Sequence, residues 1–365
     1  MMTETEACIA LNMVPKIGPV RLRKLLEVFG SPQNVLSARP SALRQVEGIG
    51  PDTAEALGSW ESQIDLAAEL QRIEDFGAHV ITQADPLYPP SLLEIHNPPI
   101  VLYVWGKLEE RDRHAVGVVG SRKTSHYGLE CAKKLSYQLA YAGATVVSGL
   151  ARGIDTAAHQ GALAAQGRTI AVIGSGFSKV YPPENQGLAE KIAETGAVLS
   201  EYPMLRQADT QTFPYRNRIV AGMSFGLLVV EAGMQSGALI TAGNALEQGR
   251  NVYAVPGQID RPTAQGSNRL IQQGAKLVSS AADILDDMHA LFPVKPTPEA
   301  PATRIANLNP MEAAVFDALD VTEKNYDEVV ARCHLTTAQV SSTLLALEMK
   351  RLIKQLPGTR FVRLV

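Results

Sequence analysis

Between residues 115 and 163 the chain repeats one pattern twice: an apolar β-branched run, a small hydroxylated turn bearing an arginine, then a helical pattern. The runs are residues 116–119 and 145–147. Their turns are Gly120-Ser121-Arg122 and Ser148-Gly149-Leu150-Ala151-Arg152-Gly153. A buried strand that ends in glycine and opens a helix is the βα unit of a doubly wound sheet, whose ligand crevice lies at the strands' carboxyl ends. Glycine lets the backbone approach an anion, and the N–H groups of a starting helix point toward it. The arginines add full charges on forks that match phosphate oxygens. The stretch therefore predicts a phosphate-binding crevice.

The alternation continues downstream. Further β-rich runs lie at residues 169–173, 197–199, 227–230, 252–255 and 276–278, with helical patterns at 128–142, 156–166, 184–194 and 238–248. Strands rich in Val and Ile, each followed by a helix, imply an α/β architecture: a Rossmann-like, doubly wound, mostly parallel sheet covered on both faces. We assign it to residues 81–292, with proline-stiffened connectors at 85–90 and 97–99 and a strand at 100–105 near its start.

Smaller units flank this core. Residues 1–80 read as a helical domain of the SAM or helix-hairpin-helix kind, with Val14-Pro15-Lys16-Ile17-Gly18-Pro19 and Val46-Glu47-Gly48-Ile49-Gly50-Pro51 as its turns. Such a turn can offer N–H groups to a DNA phosphate without reading bases. It can equally be a tight turn between packing helices, and Glu47, Pro19 and Pro51 keep both alternatives open. Residues 293–310 hold five prolines and no apolar periodicity, so they read as a semi-rigid linker. Residues 311–365 read as a winged helix: helices at 312–319, 326–331 and 337–350, then a β pair at 353–355 and 361–364 turned by Pro357-Gly358. Its third helix carries mostly Gln, Ser and Thr outward until Lys350 and Arg351, where duplex binding would want more charge. A protein-contact role fits it equally well.

Composition narrows the function classes. The net charge of −3 means that any nucleic-acid site must be a local basic patch. The three cysteines, Cys8, Cys131 and Cys333, form neither a disulfide framework nor a metal spacing, and a reducing cytoplasm suits them. The acidic N-terminus does not resemble a secretory signal, and no apolar run approaches the roughly 20 residues of a membrane helix. The glycine spacings match neither a dinucleotide fingerprint nor a P-loop, and no zinc or hydrolase motif is present in the sequence. No metal, cofactor or catalytic residue is expected.

In a parallel sheet the turns after the strands share one edge. Together they offer Gly120, Ser121, Arg122, Gly149, Arg152, Gly176, Phe177, Lys179, Arg216, Asn217, Arg218, Ser236, Gly237 and Thr241, with Tyr181 nearby. Cations interleaved with aromatic faces along a groove suit single-stranded nucleic acid. Plainer roles exist for several residues. Phe177 can cap the core, Asp155 can cap a helix, and His159 can be a satisfied structural histidine. Glu231 can order a neighbouring loop or pair with an arginine.

With these motifs in view, the chain resembles the DNA-processing protein A (DprA/Smf) family. The resemblance rests on Gly120-Ser121-Arg122, on residues 148–155, on Val180-Tyr181-Pro182-Pro183-Glu184-Asn185, on residues 213–220 and on Glu231-Ala232-Gly233 with Ser236-Gly237 and Thr241-Ala242. It implies a cytoplasmic, non-enzymatic protein that binds incoming single-stranded DNA during natural transformation and helps load the RecA recombinase. It also implies a homodimer formed through the Rossmann-like domain. The family's DNA pocket carries over onto Gly120-Ser121-Arg122 and onto Lys179 and its neighbours. An alternative resemblance, to nucleotide-hydrolysing enzymes of the LOG, lysine-decarboxylase-like type, rests on the loose glycine turn of residues 232–237.

Overall fold

The structure, a computed structural model, describes residues 2–291, 308–320, 322–350, 352–356 and 358–363. The chain divides into two compact units, Met1–Met288 and His289–Val365.

The first unit is built on a nine-stranded sheet. Its strands are β1 (His79–Thr82), β2 (Val101–Gly106), β3 (Ala115–Val119), β4 (Thr145–Ser148), β5 (Thr169–Val172), β6 (Ala197–Ser200), β7 (Gly226–Val229), β8 (Asn251–Ala254) and β9 (Lys276–Leu277). Their order is β1-β2-β6-β5-β4-β3-β7-β8-β9. From β6 to β9 all neighbours are parallel, whereas β2 pairs antiparallel with both β1 and β6. The chain lays β3, β4, β5 and β6 outward in one direction and then returns to place β7 on the other side of β3. Where the winding reverses, the loops after β3 and β7 leave in opposite directions and a crevice opens between them. This is the doubly wound sheet expected from the sequence. Gly117 lets it close up, because a Cβ there would fall 2.7 Å from Leu227 Cδ1.

The two sheet faces are covered differently. One packs Val119, Val147, Leu227 and Val229 against Ile219, Val220, Ala238 and Ala242 of the crossover helices. The other packs Tyr103, Ala171 and Val198 against Ile9, Leu11, Leu25 and Leu57 of the N-terminal helices, in one continuous core. The buried Glu69 of the helix Leu66–Phe76 joins the two parts, accepting from Tyr103 Oη (3.1 Å) and Met204 N (2.7 Å). The first 80 residues therefore share the sheet's core instead of closing on their own. β1 begins at His79, inside the stretch read as helical; a four-residue strand on a sheet edge is too short for its alternation to show. The helices Gln265–Gln272 and Ala282–Leu291 add to those expected from the sequence.

The second unit contains the helices Pro310–Asp317, Tyr326–Cys333 and Thr337–Met349. Each starts on a capping box, at Asn309, Asn325 and Thr336. A three-stranded sheet, β10 (Lys324–Asn325), β12 (Arg360–Arg363) and β11 (Ile353–Leu356), completes the winged helix, with the two-residue β10 an addition to the expected pair. Val315, Phe316, Val340, Leu344, Leu347 and Phe361 form its core. Of the expected linker, residues 293–307 lie outside the described residues, as do Arg351, Pro357 and Leu364. Among the described residues no helix is long and apolar enough to cross a membrane.

Candidate nucleic-acid interface

The crevice between β3 and β7 is a groove of about 660 Å³. The turn after β3 supplies Gly120, Ser121, Arg122 and Lys123, the turn after β4 supplies Gly149, and the turn after β7 leads into Ser236 and Gly237. The first turns of the helix Thr212–Gly222 contribute Phe213, Arg216 and Asn217.

Close packing fixes these turns. A Cβ on Gly120 would fall 2.5 Å from Ile154 Cγ1 and 2.9 Å from the Glu231 carbonyl, so only glycine fits. Gly153, at φ +78°, brings the β4 turn against the Ser121 carbonyl. The Glu231 carboxylate accepts from Thr124 Oγ1 (2.5 Å), Ser125 N (2.9 Å) and Ser125 Oγ (3.0 Å). Burial pushes this carboxyl's pKa up, but the hydroxyl and N–H donors outweigh that and hold it below the usual range. Of the two plain roles open to Glu231, it takes the loop-ordering one.

Under the groove lie two buried groups of opposite charge, each held by backbone. Arg216, 3 % exposed, donates to the carbonyls of Gly149 (2.7 Å) and Val172, tying the ends of β4 and β5. Asp155 accepts from Gly149 N (3.2 Å) and Ala151 N (3.4 Å). Burial raises the Asp155 pKa to about 6, against the opposing pull of Arg216. Asp155 is not the helix cap, which is Gly153; it steadies the preceding turn from inside the helix. His159 is buried, with Nδ1 2.7 Å from Thr169 Oγ1 and Nε2 without a hydrogen-bond partner among the described residues. Burial lowers its pKa to about 3, so it stays neutral.

Arg122 and Lys123 make no ion pair among the described residues, and the N-terminus of the helix Gly237–Glu247 opens on the same groove. Unpaired cations, a positive helix end and exposed glycine backbone together suit an anion. The Arg122 guanidinium lies 4.8 Å from the centre of the Phe213 ring. Tyr181 follows at 5.5 Å from Phe213, and Arg152 at 5.8 Å from Tyr181.

The structure brings together most of the expected residues. Gly120, Ser121, Arg122, Gly149, Arg216, Asn217, Ser236, Gly237 and Thr241 all line the groove, although Arg216 is spent as a strut beneath it. Arg152 stands beyond Tyr181. Four residues do not join them. Arg218 donates both Nη groups to Glu201 (2.6 and 2.7 Å) and is stacked on Tyr215, so its charge is used internally. Phe177, 2 % exposed, stacks on Phe76 at 5.5 Å and caps the core, and Gly176 is packed on the carbonyls of Pro203 and Met204. Lys179 is exposed outside the groove lining. The sequence reading missed Lys123 and Phe213 as groove residues, although Lys123 directly follows the Gly-Ser-Arg turn and Phe213 opens the arginine-bearing helix.

Comparison with known proteins gives a consistent picture. The sequence model described as DNA recombination-mediator protein A matches residues 79–289. A DprA winged helix domain matches residues 297–359, and a SAM-like helix-hairpin-helix tandem matches residues 9–57. Protein Smf of Synechocystis sp. is 35% identical over 97% of this chain and 98% of its own length. The X-ray structure of DNA processing protein A from Streptococcus pneumoniae superposes with a TM-score of 0.70 at 36% identity, covering 79% of this chain and 99% of that one. A DNA processing protein A from Helicobacter pylori, described for its single-stranded DNA binding mode, gives a TM-score of 0.52 at 26% identity, covering 59% and 96%.

Proposed function

Because the chain belongs to the DNA recombination-mediator protein A family, we propose that it binds single-stranded DNA in the crevice between β3 and β7 and holds it for recombination. The observation that carries this reading is Arg122: a guanidinium in no ion pair among the described residues, on a turn fixed by Glu231 and lying over the Phe213 ring. A phosphate can take the fork and the helix N-terminus while a base takes the aromatic face. The contacts we assign to it are Gly120, Ser121, Arg122, Lys123, Phe213, Asn217, Ser236, Gly237 and Thr241, with Arg152 and Lys179 at the margin. The protein acts as a binder without a catalytic step, in the cytoplasm.

Two partners extend the reading. A second copy of this chain suits the exposed apolar side chains of Leu246 and Ile259, the last 90% exposed. Delivery of the bound strand to the RecA recombinase rests on the resemblance to the family. The organisation that goes with it is a helical segment 1–80, a core 81–292, a linker 293–310 and a winged helix 311–365.

The deciding experiment compares a labelled oligothymidine, a random duplex and a nucleoside monophosphate at two salt concentrations. Preference for the single strand is expected, with a log–log salt slope near −0.7 for each phosphate neutralised. Equal or tighter binding of duplex would overturn the reading. Hydrolysis of the monophosphate would favour the nucleotide-hydrolase alternative.

A further inference from the structure

We propose that Tyr181 and Arg152 form a second nucleotide station beside the crevice, and that Glu184 occupies Arg152 until a DNA phosphate displaces it. The proposal rests on the single-strand reading above and adds to it a place, an order of filling and a competing carboxylate.

The geometry is an alternation of charge and ring. Arg122 lies 4.8 Å from the Phe213 ring centre, Phe213 lies 5.5 Å from Tyr181, and Tyr181 lies 5.8 Å from Arg152. Each arginine–aromatic pair offers what one nucleotide needs, a fork for phosphate and a face for a base. The ring spacing is wider than the rise of about 3.4 Å between stacked bases of a duplex strand, and the rings are tilted by 49°. They suit successive bases of a strand whose own stacking has been opened. Tyr181 is 38% exposed, so its face is available.

The two stations differ in one respect. Among the described residues Arg122 has no ion-paired carboxylate, whereas Arg152 Nε donates to Glu184 Oε1. Both partners of that pair are half exposed, at 51% and 51%. An exposed pair of this kind is screened and readily exchanged. The contrast is with Arg218–Glu201, where both side chains are under a tenth exposed and closed in by the fold. Glu184 is nevertheless held in register: its neighbour Asn185 donates from Nδ2 to the Leu150 carbonyl and to Thr156 Oγ1, both at 2.8 Å. The turn bearing the carboxylate is thus pinned to the turn bearing the arginine. The station on Phe213 fills first, with its cation already free. The station on Tyr181 fills second, when the phosphate takes Arg152 and Glu184 returns to solvent.

The test measures anisotropy of labelled oligothymidines of increasing length, across a salt series, with the full-length protein. Tyr181→Ala is expected to weaken long oligothymidines by roughly tenfold and to leave the shortest bound length unchanged. Tyr181→Phe keeps the face and should bind as the parent does. Glu184→Gln should tighten binding about threefold at low salt, because no ion pair has to open. It should also steepen the salt slope by about 0.7, since Arg152 then carries a counterion that the phosphate releases. Unchanged affinity at every length in Tyr181→Ala, or unchanged or weaker binding with an unaltered slope in Glu184→Gln, overturns the proposal. Arg122→Ala separates the two levels: if it loses binding while these variants are silent, only the second station falls. If the parent protein does not bind oligothymidine, the single-strand reading falls with it.

Discussion

Ser121 donates its backbone N–H to the Glu231 carbonyl at 2.7 Å, joining across the crevice two loops that leave neighbouring strands in opposite directions. The same glutamate closes its side chain on Thr124 and Ser125, so one residue at the end of β7 fixes the Gly-Ser-Arg turn from both sides. Arg122 is thereby aimed by the neighbouring strand as well as by its own.

Glu231→Ala should lower stability by about 2–3 kcal/mol, because two hydroxyls and a partly buried N–H lose their acceptor. It should also weaken single-strand binding, although Glu231 need not touch DNA. The acid side can be checked too. This carboxyl's pKa is lowered in the fold, so its contribution is present above the unfolded value and is lost as pH falls through the lowered one. Thermal melts of the parent should therefore decline in acid more steeply than those of Glu231→Gln.

Removing Arg122 tests the site directly. Arg122→Ala should cost on the order of 1.5–3 kcal/mol of binding, tenfold or more in affinity, with an almost unchanged melt. Arg122→Lys should recover part of it, since a point charge replaces a planar fork. Lys123→Ala should weaken binding less and flatten the salt slope by about 0.7. Parent-like affinity in a well-folded Arg122→Ala protein would move the site elsewhere.

Phe177→Ala should do the opposite. Its ring packs between Phe76 and Trp105, so its loss should cost about 3–5 kcal/mol of stability while the remaining folded protein keeps its oligothymidine affinity. Arg218→Ala should likewise act on stability, by roughly 3–5 kcal/mol, because Glu201 is left buried and uncompensated. Chemical denaturation alongside anisotropy separates the two classes.

Asp155 predicts a pH dependence. Burial raises its pKa to about 6. A group raised in the fold contributes stability that is full below its unfolded value and is lost as pH rises through about 6. A phosphate in the groove above should raise it further, so binding should take up a proton. Affinity for the single strand should then increase as pH falls from about 7.5 to about 6, and Asp155→Asn should flatten the profile. A parent profile as flat as the variant's would show that Asp155 keeps its charge throughout.

The parts legible in the sequence were those set by local pattern. Strands β3 to β8 announced themselves by Val-, Ile- and Leu-rich runs, and the glycines after β3 and β4 marked turns that must pack closely. Parallel topology then placed Arg122, Gly149 and Gly237 on one edge. What could not be read were partners distant in sequence. Arg216 and Arg218 look alike in the motif, yet two residues along a helix point to opposite sides. One runs inward under the groove to Gly149 and Val172, and the other turns away to Glu201. Phe177 and Phe213 likewise differ only through what surrounds them, Phe76 and Trp105 for one and the open groove for the other.

The core shared by the N-terminal helices and the sheet has a consequence for how this chain comes apart. Ile9, Leu11, Leu25 and Leu57 lie in the same apolar mass as Tyr103 and Val198, and Glu69 adds polar ties from within it. Such a boundary does not peel. A protease that nicks the chain near residue 80 would leave a two-piece molecule still held as one body, losing both pieces in a single thermal transition. Synthesis meets the same coupling in reverse: these helices leave the ribosome before the sheet and must wait, with their apolar sides unburied, for β3, which follows the helix Glu4–Met13 by roughly 100 residues.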